Sequence, residues 1–218
     1  MKFLLITLTL LLSACSSGPT VPDWQIDTQT AMARYTQHYL EGRSKLALAS
    51  FEKARNASAA TANINAVAHL ELVKCGVAIA ALDTSPCTGY TILAQHNSDA
   101  TDANYYRFLT GDNQHLDKTL LPSQYQPWLQ AQTMNDINTA IGQIADPLSR
   151  LVAVSISYIH QKYDAKTLQI AIDTASAQGW RRPLLAYLRL QEKNTQDPLL
   201  LQQIRTRIEL LAPSLKNQ

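Results

Sequence analysis

Gly42 to Arg55 reads GRSKLALASFEKAR. Glycine readily takes the left-handed conformation that ends a helix, and a serine two places on is suited to cap the next one. Ahead of it, Thr28 to Leu40 returns apolar side chains at helical spacing, so two helices joined by a very short turn form an antiparallel hairpin. On the second helix Ala47, Phe51 and Ala54 fall on one face. Two small side chains then let the helices approach while the Phe51 ring fills the space between them. Phe51 is expected to pack between this first helix and the helical segment that follows the hairpin.

The same helical grammar continues along the chain. Asp146-Pro147, Arg182-Pro183 and Asp197-Pro198 each place proline in a first helical turn, where its missing N–H has no intrahelical partner. Leucine, isoleucine or valine then returns every three or four residues in PLSRLVAVSISYIHQK, PLLAYLRLQEK and PLLLQQIRTRIELLA, and Pro213 is read as closing the last of these. Asp164 is placed to cap AKTLQIAIDTASAQ, and Gly179 to end it. Alanine-rich Ala59 to Leu82 reads as one long helix, with Ile64, Val67, Leu72 and Ile79 on its apolar stripe and Asn63, Asn65 and Glu71 on its polar face. Between Cys87 and Trp128 the pattern breaks into short helical stretches separated by turn residues. With only seven glycines and few β-type alternations, the expected fold is all-α. Residues 23–218 form one domain, an array of antiparallel helical hairpins.

Gly42, Ala47, Phe51 and Ala54 resemble the second-helix pattern of the tetratricopeptide repeat, A-x3-F-x2-A after a glycine turn. Tyr39 suits the motif too, whereas Ala31, Arg34 and Tyr35 stand where the first helix of that repeat carries tryptophan, leucine and glycine. The resemblance implies an α-solenoid-like array whose first helix lines a concave groove for a peptide or partner helix. Met32, Thr36 and Tyr39 match that face; Met32 and Tyr39 equally suit a core contact with the next helix.

The N-terminus carries an address. Lys2 precedes Phe3 to Leu12, an apolar run far shorter than the ~20 residues a spanning helix needs. Leu12-Ser13-Ala14-Cys15 resembles the lipobox of bacterial lipoproteins. It implies that residues 1–14 are a signal peptide and that Cys15 is the lipid attachment site, carrying diacylglycerol and a further acyl chain such as palmitate. Residues 15–22, with two prolines and no apolar period, read as the lipidated N-terminus and a flexible tether. By the same family's sorting preference, Ser16 in place of aspartate favours the outer membrane, facing the periplasm; inner-membrane anchoring and surface exposure stay open. With Cys15 assigned to lipid, Cys75 and Cys87 remain as a pair in an oxidising compartment, and the Asp83-Thr84-Ser85-Pro86 turn between them lets the chain fold back. A structural disulfide is expected there, since redox-active pairs usually show C-x-x-C spacing.

Chemistry is otherwise sparse. The chain has no H-E-x-x-H, no G-x-S-x-G and no phosphate-cradling glycine loop, and its five histidines are scattered singly. His69 and Glu71, two apart on a helix, point in different directions. Nineteen basic against seventeen acidic residues give no concentrated positive field, so nucleic acid is not expected as a partner. Trp180-Arg181-Arg182 before a helix is the most suggestive cluster: an aromatic face with two guanidiniums suits an anion or a sugar acid, while the favoured reading is a packed tryptophan flanked by solvated arginines, since aromatics in helix bundles mostly serve packing. No cofactor and no metal is expected, and no catalytic residue is assigned. The expected function is a non-enzymatic, lipid-anchored periplasmic adaptor or scaffold that binds another cell-envelope protein. The alternative is an envelope enzyme accessory or hydrolase with a site in segment 87–128, using Tyr105, Tyr106 and Arg107.

Overall fold

The computed structural model describes residues 21–216 apart from Pro86, Asn97 and Ser98, with side chains through Leu211. The signal peptide and the lipidated Cys15 expected from sequence lie outside these residues, as does all of the tether but Val21 and Pro22. Eleven α-helices follow one another among the described residues, with no strand: α1 Asp23–Leu40, α2 Ser44–Ala59, α3 Ile64–Ile79, α4 Thr88–Ala94, α5 Ala100–Thr110, α6 Gln126–Gln130, α7 Met134–Gln143, α8 Pro147–Ile159, α9 Ala165–Ala177, α10 Arg181–Asn194 and α11 Pro198–Lys216. Two 3-10 turns, Lys118–Leu120 and Ser123–Tyr125, precede α6. The fold is all-α, built from antiparallel hairpins.

The α1–α2 hairpin turns at Gly42, whose φ of +85° explains the glycine. Arg43 N–H closes the turn by donating to His38 O at 2.8 Å. Phe51 is 2% exposed, flanked by buried Ala47 and Ala54. Its ring lies 5.4 Å from that of Tyr35 on α1, and the same cluster takes in Leu70 and Val77 of α3. The ring therefore occupies the wedge between α1 and α3. Ser44 departs from its expected capping role. It is the first residue of α2, after Arg43, and its hydroxyl accepts from the Arg182 guanidinium at 2.8 Å.

The long helix expected over Ala59 to Leu82 is shorter at both ends, running Ile64–Ile79. α2 runs to Ala59, the chain turns through Ala62 at φ +54°, and Asn63 caps α3 by accepting from Ala66 N–H at 3.1 Å. An asparagine cap outweighs the helical preference of the alanines beside it. Glu71, expected on a polar face, is instead buried at 8% exposure, 3.3 Å from both Arg55 Nε and Lys74 Nζ. Its carboxylate presses against the backbone at Gly89, in the first turn of α4, where any Cβ would collide with it.

Farther along, local signals predicted the caps. Asp146, Asp164 and Asp197 each accept N–H bonds from the following turn, at 2.8, 2.9 and 2.9 Å, and Gly179 adopts φ +66° after α9. α11 carries on to Lys216, past the Pro213 read as its end.

The larger core cluster joins α3, α5 and α7–α10 around Leu72, Phe108, Ile141, Leu151, Ile172 and Tyr187. Beneath the C-terminus of α3, Ser155 Oγ donates to Ile79 O at 2.6 Å and lies 2.8 Å from Tyr187 Oη. That phenol is also 3.3 Å from Ala80 O and 3.2 Å from Leu151 O. Side chains of α8 and α10 thus bond to carbonyls at the end of α3, in addition to the 2.8 Å bond that Leu82 N–H gives Ile79 O, which ties the two halves of the chain together. Cys75 and Cys87 sit at disulfide distance, Cα atoms 5.4 Å apart, where α3 meets the start of α4.

Candidate functional site

α1 and α3 are the first helices of consecutive hairpins, and a groove of about 540 Å³ runs between them. Met32, Leu70 and Val73 form its apolar floor, and Trp24 stands half-buried at the first turn of α1. The end of α2 contributes Ser58, and the start of α5 contributes Asp99 and Asp102. Four segments well separated in sequence therefore converge on one cavity.

Two hydroxyls distinguish this groove. Thr28 Oγ1 and Ser58 Oγ are buried, at residue exposures of 8% and 1%, and neither has a hydrogen-bond partner within the protein. Leaving a buried hydroxyl unmet costs about 1–3 kcal/mol, and native proteins seldom tolerate that without a reason. Both belong to residues lining the same cavity.

At the α5 end, the Asp99 carboxylate caps the helix by accepting from the N–H groups of Thr101 and Asp102 at 2.8 and 3.2 Å. His69 Nδ1 lies 2.7 Å from Asp102 Oδ1, linking α3 to α5. The hydrogen bond to Asp102 raises the imidazole pKa above its usual value, against the opposing pull of burial. Asp99, Asp102 and His69 are the titratable residues that line the groove, and none of its described lining residues is a lysine or arginine.

Of the positions expected on a binding face, Met32 lines this groove while also belonging to the hairpin core. Thr36 is half-buried on α1 and is not among the lining residues. Tyr39 lies at the far end of α1, where its hydroxyl donates to Asp83 at 3.2 Å. Burial, helped by the Asp83 charge, pushes the phenol up to about 12. Arg182 stacks over the Tyr39 ring at 4.2 Å and donates through Nε to Tyr39 O at 2.7 Å. Its guanidinium, read from sequence as a candidate anion ligand, serves here to clamp α10 onto the α1–α2 turn. Trp180 packs against both core clusters, and Arg181 is half-buried beside it.

In the middle segment, Tyr105 packs on Phe108 with ring centroids 5.6 Å apart and Tyr106 on Tyr90 at 5.0 Å, so both rings take part in packing. Arg107 is half-buried in the last turn of α5. A smaller pocket of about 200 Å³ opens nearby, lined by Asn113, Lys118, Trp128, Ser157, His160 and Lys162 among others. Trp128 Nε1 donates to Ser157 Oγ across it at 3.1 Å. Burial, reinforced by the Lys162 charge, lowers the His160 pKa. Among the described residues no group of three or more His, Cys, Asp or Glu side chains is arranged to hold a metal ion, and no helix is long and apolar enough to cross a membrane.

Sequence reasoning placed Met32 on the groove but missed Trp24, Thr28, Ser58, His69, Asp99 and Asp102. Asn63 was the available signal: read as a cap, it ends α2 near Ser58 and aligns α3 beside α1. The α5 contribution has no local signature. Comparison with protein families, curated proteins and solved structures finds no match to this chain.

Proposed function

We propose that the chain is a lipid-anchored periplasmic adaptor that holds a segment of another cell-envelope protein in the α1–α3 groove. The observation that carries this reading is the pair of buried, unpartnered hydroxyls lining a cavity between the first helices of two hairpins. The lipobox-like Leu12-Ser13-Ala14-Cys15 supplies the anchor, and Ser16 favours the outer membrane as its destination. Several acyl chains on one cysteine, at about 0.8 kcal/mol per buried methylene, would make release from the bilayer negligible. Ser16 to Pro22 then reaches at most roughly 25 Å at full extension. Because the groove opens at Trp24 in the first turn of α1, a captured segment is held near the membrane surface. An oxidised Cys75–Cys87 bond fits the same compartment and steadies α3, one wall of the groove.

Two experiments test the reading. Palmitate labelling of cells is expected to mark the wild-type chain and not Cys15→Ser, whose protein leaves the membrane fraction; a labelled serine variant contradicts the anchor. A photocrosslinking residue at Gln29, exposed on the groove rim, is expected to give a discrete adduct, whereas one at Leu48, 61% exposed on α2, gives none. Adducts from Lys118 and not from Gln29 would move the site to the smaller pocket and favour an enzyme-accessory role.

A further inference from the structure

We infer that the smaller pocket lined by α5, α6, α7 and α8 is a second binding site, one that takes a carboxylate attached to an apolar body. It goes beyond the adaptor reading and does not depend on it. The lining has two kinds of residue. Phe108, Ile137 and Ile156 are buried, with Trp128 and Leu129 packed beside them, and give an apolar floor. Asn113, Lys118 and Lys162 are its exposed members, from the loop after α5, the first 3-10 turn and the segment that follows α8. Asn113 Nδ2 lies 3.2 Å from His160 Nε2, a contact that joins the loop after α5 to the end of α8. At about 200 Å³ the pocket is smaller than the ~300–1,000 Å³ that takes a drug-sized molecule, so the ligand is small or is the end of something longer.

Charge and an unspent donor make the ligand an anion. The titratable residues of the lining are Lys118, His160 and Lys162, with no aspartate or glutamate. Among the described residues neither lysine is in an ion pair. The acids nearest to them in sequence are engaged elsewhere and do not line the pocket. Asp112 accepts from Gln114 N–H at 3.2 Å, Asp117 from the N–H and hydroxyl of Thr119 at 2.9 and 2.6 Å, and Asp164 from Thr167 N–H at 2.9 Å. The Lys162 charge is felt on the pocket wall, since together with burial it lowers the His160 pKa. Ser157, also on the lining, is 1% exposed, and its Oγ accepts from Trp128 Nε1 at 3.1 Å. Its own O–H has no acceptor among the described residues, although a hydroxyl can donate one bond while it accepts others. A carboxylate oxygen is the acceptor that this donor lacks, and such charge-assisted bonds are the stronger kind. Inorganic phosphate would leave the apolar floor uncovered, and a neutral apolar molecule would give the lysines nothing to pair with.

The test titrates the full lipidated, isotope-labelled chain in detergent micelles with four probes: N-acetyl-leucine, its neutral amide, inorganic phosphate and an acetylated tetrapeptide that ends in a free leucine carboxylate. The readout is the nuclear magnetic resonance signal of the Trp128 indole N–H, assigned with Trp128→Phe, with the Trp24 and Trp180 indoles as internal references. N-acetyl-leucine is expected to shift the Trp128 signal saturably and to leave the other two in place. The amide and phosphate are each expected to bind about tenfold more weakly. Lys118→Gln and Lys162→Gln, both at exposed positions, are each expected to lower N-acetyl-leucine affinity by about fivefold, the upper end for an exposed charge pair. Unchanged Trp24 and Trp180 signals in these variants show that the fold is kept. Tighter binding of the tetrapeptide assigns the site to a polypeptide chain end, and tighter binding of N-acetyl-leucine assigns it to a free acid; either supports the proposal. A Trp128 signal that neither carboxylate shifts, equal affinity for the amide or for phosphate, or lysine variants that bind as well as wild type overturns it.

Discussion

Ser155 and Ser58 are equally buried, each 1% exposed, and their hydroxyls have opposite surroundings. Ser155, on α8, donates to Ile79 O and meets the Tyr187 phenol, completing the cap on α3. In the same half, Asn138 bridges α7 to the α9 cap, donating to Asp164 at 3.0 Å and accepting from Thr167 at 2.6 Å. Ser58 Oγ, at the end of α2, has no hydrogen-bond partner, and Thr28 Oγ1, a residue lining the same cavity, is in the same state. Both regions are made of short antiparallel helices with apolar seams. In the C-terminal half the buried polar groups Ser155, Asn138 and Thr167 find partners inside the chain, whereas Thr28 and Ser58 line a cavity with their hydroxyls unmet.

The largest expected effect separates core from groove within the N-terminal hairpin. Phe51→Ala removes the ring wedged between α1 and α3 and is expected to cost about 3–5 kcal/mol, measured by denaturant unfolding. Tyr39→Ala, on a half-buried ring near the Arg182 clamp, is expected to cost clearly less. A larger loss from Tyr39 would mean that the clamp, and not the Phe51 wedge, holds the hairpin in place.

Gly89→Ala comes next. Its methyl collides with the Glu71 carboxylate, and overpacking of this kind costs about 1–3 kcal/mol. Glu71→Gln in the Gly89→Ala background would leave the steric conflict in place, whereas Glu71→Ala should relieve it, so a thermal melt of the two double variants identifies the cause.

How far the sequence exposes each region follows from the range of its interactions. Asp146, Asp164, Asp197 and Gly179 act on backbone within one turn of themselves, and each was readable as a helix boundary. The A-x3-F-x2-A spacing likewise led directly to the buried Phe51. Asn63 was passed over because alanines on both sides favour continuation, although its side chain is an effective cap. Arg182 was misread because two adjacent arginines before a helix look free, while its partners Tyr39 and Ser44 lie 143 and 138 residues away. The groove was hardest of all: no window of sequence contains Thr28, Ser58, His69 and Asp102 together, and only packing brings them to one cavity.

The smallest effect is a pH dependence. The hydrogen bond to Asp102 raises the folded-state pKa of His69, and a raised histidine pKa adds stability that is complete below the unfolded value, near 6.5, and lost as pH rises through the folded one. The melting temperature of the wild-type chain should therefore exceed that of His69→Gln most below the unfolded histidine value, near 6.5, and converge towards it as pH rises through the raised folded one. The difference stays small because the His69 side chain is 60% exposed and its ion pair is screened. A gap that widens with rising pH would reverse the assigned sign.

Ser58→Ala, set beside Ser155→Ala, bears most directly on the claim that the α1–α3 groove is completed by a partner. Each variant is read twice, by thermal melting of the purified chain and by adduct yield from a photocrosslinker at Gln29 in intact cells. Ser155→Ala should lower stability by about 1–2 kcal/mol and leave the adduct in proportion to folded protein. Ser58→Ala removes a hydroxyl with no partner in the free chain, so it should leave the melt unchanged or slightly raised and reduce the adduct. A Ser58→Ala protein that melts early and crosslinks as well as wild type would contradict the account.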